Sequence, residues 1–240
     1  MKSRLDKNSW ILTTPTAHRG LHNSVIPENS MAAFKNALEK GFPIETDVHM
    51  TTDDRLVCFH DNNLERMTGY KSDIRENDYK SVKALRLKNT DQVIPDFEEF
   101  LELVGGKVPL LIEIKKQKRK GIEPLVKKAL EGYKGEYAIQ SFDPFVVMNY
   151  KKLAPEVLRG QLACGYAPPE FSKLTKYVLK HTPFNFIGRP DFVNYDLRSL
   201  PTSKSNYSGL PLICWTVRTF EEQKKAQKLG INYVFENVFS

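Results

Sequence analysis

Hydrophobic positions along this chain switch repeatedly between a period of three to four residues and a period of two. From Ser30 to Lys40, Met31, Phe34, Ala37 and Leu38 fall on one stripe, which predicts a helix, and Gly41 is placed to end it. Residues 44–49 and 56–59 then read as strands. Phe97, Phe100, Leu101 and Val104 follow at i, i+3, i+4 and i+7, behind Asp96 and Glu99 at capping-box spacing, so a second amphipathic helix is expected over 96–104. Residues 108–114 form a mostly apolar strand. The rhythm continues with a helix at 122–131 that tolerates Pro124 in its first turn, a strand at 137–140, and a helix opened by Asp143-Pro144 and running to about Leu153. A strand at 158–162, a helix at 170–180 and a strand at either 186–187 or 192–193 come next. The chain closes with a strand at 212–217, a helix opened by a second T-x-x-E box at Thr219 and Glu222 and stopped by Gly230, and a strand at 233–235.

Repeated βα units imply parallel strands with helical crossovers. About eight of them in 240 residues predict a (β/α)8 TIM barrel in the α/β class, with residues 1–240 as a single catalytic barrel domain. A doubly wound open sheet is the runner-up, but no G-x-G-x-x-G follows the first strand. The stretch at about 61–90 is polar, Lys-rich and weakly periodic, and reads as a small insertion over one face, after the second barrel strand region.

Composition narrows the class. Hydrophobic residues make up 40%, enough for a substantial core. Cys58, Cys164 and Cys214 lie far apart, which excludes a disulfide framework and a thiolate zinc knuckle. Polar residues from Asp6 to Ser9 interrupt any leader-like apolar run, and no run approaches the ~20 residues of a membrane-spanning helix. A soluble cytoplasmic protein is the expectation. The formal charge of +7 favours anionic partners, and its densest source is Lys115-Lys116-Gln117-Lys118-Arg119-Lys120. No zinc-finger, RNP-like or helix-turn-helix pattern accompanies that run, so nucleic acid is not expected.

In a (β/α)8 barrel the reacting groups sit at the C-terminal ends of the strands. Four segments place polar side chains there: His18-Arg19 with Glu28-Asn29-Ser30 shortly after, Glu45-x-Asp47-x-His49, His60 after the run 56–59, and Glu113-x-Lys115. Strand alternation puts Glu45, Asp47 and His49 on one face, and Glu113 with Lys115 on another. Each piece alone has a plainer reading: Asn29 or Ser30 as a helix cap, Glu113 with Lys115 as an ion pair. Together they make a division of labour. Three carboxylates without cysteine suit a hard divalent cation, Mg²⁺ or Ca²⁺. Arg19 and Lys115 can hold phosphate oxygens, and two histidines can exchange protons near neutral pH. The set reads as metal-assisted phosphodiester cleavage.

At these residues the sequence resembles the glycerophosphodiester phosphodiesterase family, from His18 to about Trp215. The likeness is carried by His18-Arg19-Gly20, Pro27-Glu28-Asn29-Ser30, Glu45-Thr46-Asp47-Val48, Phe59-His60-Asp61, 64–69 (LERMTG), Glu113-Ile114-Lys115, Gln140-Ser141-Phe142-Asp143 and Trp215-Thr216-Val217. The resemblance implies that Glu45, Asp47 and Glu113 bind the metal, that His18 and His60 are the acid/base pair, and that Arg19 and Lys115 contact phosphate. Glu28 and Asn29 would support them. It implies a small-molecule substrate, a glycerophosphodiester cleaved to glycerol 3-phosphate and an alcohol, through a cyclic phosphate. Trp215 could pack against substrate or belong to the barrel core. Two positions depart from the family pattern: Glu236 stands where Thr is usual before Asn237, and Arg218 where Asn is frequent. Both bear on substrate choice. Two alternatives remain: a lysophospholipase D-type enzyme working at a membrane surface, which an apolar rim round the mouth would favour, and a non-catalytic barrel that binds a phosphodiester.

Overall fold

The computed structural model describes residues 3–167 and 169–238. Strands β1 (Thr16–Ala17), β2 (Ile44–Met50), β4 (Leu110–Ile114), β5 (Tyr137–Ser141), β6 (Leu158–Ala163), β7 (Phe192–Asp196), β8 (Leu212–Val217) and β9 (Asn232–Phe235) pair in parallel in that order. β1 pairs with both β9 and β2, so the sheet closes into an eight-stranded barrel. The helices lie between strands: α2 (Met31–Glu39), α5 (Phe97–Val104), α6 (Ile122–Ala129), α7 (Pro144–Leu153), α8 (Lys173–His181), the short α9 (Asn185–Gly188) and α10 (Phe220–Lys228). This is the (β/α)8 TIM barrel that the alternating pattern predicts.

The helix starts follow from local chemistry. Ser30 caps α2 by accepting from the Ala33 N–H, and Asp143 caps α7 ahead of Pro144. Asp96 and Glu99 complete a reciprocal capping box on α5, whose Phe97, Phe100, Leu101 and Val104 are all buried. The second box is only half made: Thr219 accepts from Glu222 N–H, but the Glu222 carboxylate accepts from the Arg218 N–H instead of that of Thr219. The strand left between two positions is β7, and residues 185–188 are the helical turn α9.

Residues 56–59 are not a barrel strand. β3 (Leu56–Cys58) runs antiparallel to β2, with Val48 opposite Cys58. It opens an excursion that holds α3 (Glu65–Thr68) and α4 (Tyr79–Lys83) and returns at Asp96. The expected insertion at 61–90 is therefore the outer part of a longer loop. Its Leu64, Met67, Ile74, Val82 and Leu87 pack with Val57, Phe59 and Ile94 into a small core of their own. The four-residue α1 (Trp10–Thr13), which no sequence pattern predicts, sends Ile11 into the barrel interior against Leu111, Ala138, Phe192, Ile213 and Val234.

That interior layer explains where the chemistry can be. Two residues further along each strand, the inward position turns polar or amphipathic: Leu111 gives way to Glu113, Ala138 to Gln140, Phe192 to Asn194, and Ile213 to Trp215. The barrel is thus packed with hydrocarbon at its N-terminal end and lined with functional groups at its C-terminal end. Gly160 belongs to the packed layer: a Cβ there would lie 2.4 Å from the Phe192 ring. Among the described residues, no helix is long and apolar enough to cross a membrane.

Candidate active site

Register places the carboxylates. β2 and β4 pair with Asp47 opposite Glu113, and Glu45 lies one inward step behind Asp47. The three buried side chains offer oxygens within 4.8 Å of one another. Lys115 Nζ sits 2.7 Å from Glu113 and 3.2 Å from Asp47. Glu113 and Lys115 are therefore an ion pair as well as members of the site. Burial, together with the neighbouring Asp47 and Glu113 charges, drives the Glu45 carboxyl well above its ordinary range. Burial also raises Glu113, against Lys115, while Asp47 is buried but held low by Lys115, His60 and Arg19. A folded chain that confines three carboxylates with too little positive charge is strained electrostatically unless a cation joins them. Their hard oxygen donors fit a divalent ion such as Mg²⁺ or Ca²⁺.

Arg19 reaches the cluster through an unusual backbone. Its φ is +55°, and Gly20 follows at +76°, where a Cβ would meet the Ala33 carbonyl carbon at 2.8 Å. This turn aims the Arg19 N–H at Glu45 Oε2, 2.9 Å away, and brings Nε to 3.5 Å from Asp47. Arg19 Nε is buried and has no hydrogen-bond partner among the described residues. Asn29 donates to Asp47 Oδ2 at 2.9 Å and accepts from the Thr46 hydroxyl, so it fixes the carboxylate. Ser30 is a cap; Asn29 is not.

The two histidines are held alike. His18 Nδ1 bonds Glu236 Oε1, and His60 Nδ1 lies 2.6 Å from Asp61 Oδ1. A carboxylate on Nδ1 makes that nitrogen the donor and leaves Nε2 free for the cavity. Burial and the Arg19 charge hold His18 down to about 4, against the pull of Glu236, so its imidazole is neutral near pH 7. His49 is fully buried; burial and Lys115 hold it down to about 3, and its ring faces Gln117 and the His60 carbonyl. It is a support for the His60 loop and does not line the cavity.

An ionic chain ties the His60 loop to Arg19. Asp61 bonds Arg66, Arg66 donates two hydrogen bonds to Glu28, and Glu28 bonds Arg19 Nη1 at 2.6 Å. Burial opposes the Glu28 charge, but Arg66 and Arg19 outweigh it and hold the carboxyl down to about 2 from its ordinary 4.5. Unfolded chain therefore takes up this proton first as pH falls. The pair's stabilisation is complete above about pH 4.5 and disappears as pH drops through about 2. Urea unfolding should show Glu28→Gln weaker than the parent by about 1–2 kcal/mol at pH 7, allowing for the half-exposed Arg66, and the gap should shrink as pH falls below about 4.5 and close only as it passes through about 2. A gap that stays constant over that range would mean the network does not depend on the Glu28 charge.

These groups surround a cavity of about 230 Å³ at the C-terminal mouth, with His18, Arg19, Glu45, His60 and Glu113 on one side and Phe142, Leu162 and Trp215 on the other. Trp215 packs edge-on to Phe142 at 5.5 Å and donates its indole N–H to the Asn194 carbonyl. It is a cavity wall, half-way between the two roles its sequence position allows. Cys58 is core, and all three cysteines are free and buried. Sequence reasoning gave Asp61, Arg66 and Gln140 no role beyond the family likeness, and it missed Asn194 and the true place of Glu236. Glu236 and Arg218 stand behind His18: Arg218 Nε donates to Glu236 Oε2 at 2.8 Å while Glu236 Oε1 bonds the His18 imidazole. Glu236→Ala should lower kcat at least about tenfold with little change in KM, as loss of an orienting carboxylate does. Steady-state kinetics with unchanged kcat would deny Glu236 that part.

A closed α/β barrel with buried carboxylates, paired imidazoles and cations at its mouth is built as a barrel hydrolase is built. The chain belongs to the glycerophosphoryl diester phosphodiesterase family, whose model matches residues 18–238. A glycerophosphodiester phosphodiesterase of Caldanaerobacter subterraneus is 34% identical over 233 residues, covering 92% of each protein. The human glycerophosphodiester phosphodiesterase 1 is 24% identical, over 92% of this chain and 77% of that protein. Among solved structures, an Oleispira antarctica phosphodiesterase in complex with the product sn-glycerol-3-phosphate superposes with a TM-score of 0.74 at 22% identity, over 94% of this chain and 93% of that one. A Thermotoga maritima glycerophosphodiester phosphodiesterase gives 0.69 at 22%, over 93% and 94%.

Proposed function

We propose that this chain, acting as one catalytic barrel domain, hydrolyses water-soluble glycerophosphodiesters to glycerol 3-phosphate and an alcohol with a divalent metal, Mg²⁺ or Ca²⁺. The observation that carries this reading is the Asp47–Glu113 register pair with Glu45, set beside two imidazoles whose Nδ1 atoms face carboxylates. Glu45, Asp47 and Glu113 would hold the ion, which when bound supplies charge stabilisation to the phosphoryl oxygens. Arg19 and Lys115 take the remaining phosphate charge, Arg19 from its place in the cavity wall, where its Nε stands 3.5 Å from Asp47.

His18 is the base of the first step, because burial and Arg19 keep it neutral with Nε2 facing the cavity. It removes the proton of the glycerol 2-hydroxyl as that oxygen attacks phosphorus. His60, on the more exposed side of the mouth and backed by Asp61, donates a proton to the departing alcohol oxygen as the P–O bond breaks. Water then opens the cyclic phosphate: His60 takes its proton, and His18 returns one to the 2-oxygen. The alcohol group is left to the wall of Phe142 and Trp215.

Phosphorus NMR of glycerophosphocholine, glycerophosphoethanolamine and glycerophosphoglycerol with Mg²⁺, with Ca²⁺ and with chelator tests the reading. Metal-dependent glycerol 3-phosphate, with a transient cyclic phosphate resonance, is expected. Turnover that persists in chelator, or a product in which phosphate stays on the alcohol, would overturn it.

A further inference from the structure

A second cavity opens at the other end of the barrel. Its volume is about 560 Å³, within the range of small-molecule sites. Arg159, the second residue of β6, lines it, and so does Asp191, which directly precedes β7. The cavity therefore lies at the N-terminal ends of the strands, away from the mouth that holds Glu113 and His60. Lys151 reaches it from the last turn of α7, and Arg189 from the C-terminal cap of α9. It shares no lining residue with the candidate active site.

The charges here do not balance. Asp191 is taken by Arg4, which donates from Nε to Oδ1 and from Nη2 to Oδ2, both at 2.9 Å. Arg159 is only 3% exposed, and its Nη2 stays 3.8 Å from Asp191. Its Nη1 donates to the carbonyls of Ala154, Pro155 and Val157, and its buried Nε has no hydrogen-bond partner among the described residues. The ion pairs of the cavity are Arg4–Asp191 and Arg159–Asp191; Lys151 and Arg189 enter none among the described residues. Partial burial lowers the Lys151 ammonium, and Arg189, Arg159 and Lys152 lower it further, with no carboxylate opposing them. Glu156 is exposed and outside the lining, though its charge reaches Arg4 and Arg159. With Lys152 and Glu156 both counted, five cations face two acids. Cations gathered round a concave wall focus positive potential into it, and an anion relieves their repulsion.

The uncharged part of the wall tells what else the anion carries. Phe186 lines the cavity and is still 69% exposed, whereas Phe184 beside it stacks on Phe145. Pro155 and Pro190 complete this side. Inorganic phosphate would leave the ring and most of the volume uncovered. We propose that this cavity binds a small organic phosphate that joins a polyanionic end to a planar ring, the chemistry of a nucleoside diphosphate. Lys151 and Arg189 take the phosphates, and Phe186 takes the ring. Arg159 adds its charge from within the wall, and Arg4, by neutralising Asp191, keeps the one lining acid from repelling the ligand. None of this rests on the phosphodiesterase reading.

Isothermal titration calorimetry of the full chain with ADP and with pyrophosphate, in chelator and at low and high salt, tests the assignment. ADP should bind the parent in a salt-sensitive way. Lys151→Gln/Arg189→Asn should bind it at least about tenfold less tightly. Asn suits the cap's φ of +45°, and neither replaced side chain is buried, so the Tm should match the parent's. Phe186→Ala should lose at least about fivefold in ADP affinity and nothing in pyrophosphate affinity. Lys115→Gln, in the other cavity, should bind ADP as the parent does. ADP binding weaker than about 1 mM in the parent, or equal in parent and double variant, overturns the proposal. Loss of ADP binding in Lys115→Gln would move the ligand to the catalytic cavity and overturn it too. Equal losses for ADP and pyrophosphate in Phe186→Ala would remove the ring from the ligand. A single-stranded oligonucleotide that binds far more tightly than ADP, and is lost in the double variant, would make nucleic acid the occupant instead.

Discussion

His60→Ala should lower kcat for glycerophosphocholine by ~10²–10⁴-fold, the usual worth of a positioned proton donor, with the fold intact. The side chain is one-third exposed and makes its ring bond to Asp61 in a surface loop, so truncation opens no core cavity. His18→Ala should cost as much, but the two variants should part when the leaving group changes. An acid is needed only while the departing oxygen is a poor leaving group. Glycerophospho-p-nitrophenol leaves as a phenolate without help, so His60→Ala should recover most of its loss on that substrate. His18→Ala should not, because the glycerol 2-hydroxyl still needs a base whatever leaves. The opposite pattern would exchange the two roles, and near-parental activity in either variant would remove that histidine from proton transfer. Thermal unfolding curves matching the parent's would show that the losses are chemical.

Much of this site was legible because strand alternation is a strong geometric rule. Glu45 and Asp47 are two apart on a strand whose every residue is buried, so they had to share the interior face. Glu113 and Lys115 followed the same rule on β4. What the sequence could not carry was register and non-local pairing. Nothing local says that Asp47 stands opposite Glu113, or that Glu236, 218 residues from His18, bonds its imidazole. Glu236 stood out only as a departure from the family pattern, and its meaning changed once β9 was placed beside β1. The run 56–59 is a strand over Leu56–Cys58, as its pattern predicts, but its direction was hidden for a related reason: a short apolar strand has the same pattern whether it runs with its neighbour or against it. The excursion core escaped notice because Leu64, Met67, Ile74 and Val82 are spaced by irregular turns, and no single period links them.

Glu45→Gln should abolish activity and yet stabilise the chelated protein. These opposite effects have one cause. In the folded chain without a cation, burial and the charges of Asp47 and Glu113 raise the Glu45 carboxyl well above its usual 4.5. A raised carboxyl means that the folded state binds the proton more tightly than the unfolded one. Its stabilising contribution is therefore whole below about pH 4.5 and is lost as pH climbs through the raised value. At pH 7.5 the chelated parent should melt below Glu45→Gln, whose amide carries no charge to repel, by roughly 2–4 °C for each kcal/mol of strain relieved. Adding Mg²⁺ or Ca²⁺ should reverse the order. A ligand that binds only the folded parent at a hundred times its Kd adds about 2.7 kcal/mol, whereas the variant has lost a ligand atom and gains less. Differential scanning calorimetry with and without metal, at pH 5 and pH 7.5, reads all of this without any substrate. If metal raised the Tm of parent and variant equally, Glu45 would not be a ligand. If the chelated parent were no less stable at pH 7.5 relative to the variant than at pH 5, the three carboxylates would already be balanced by Lys115 and Arg19, and the electrostatic case for a cation at this site would fall.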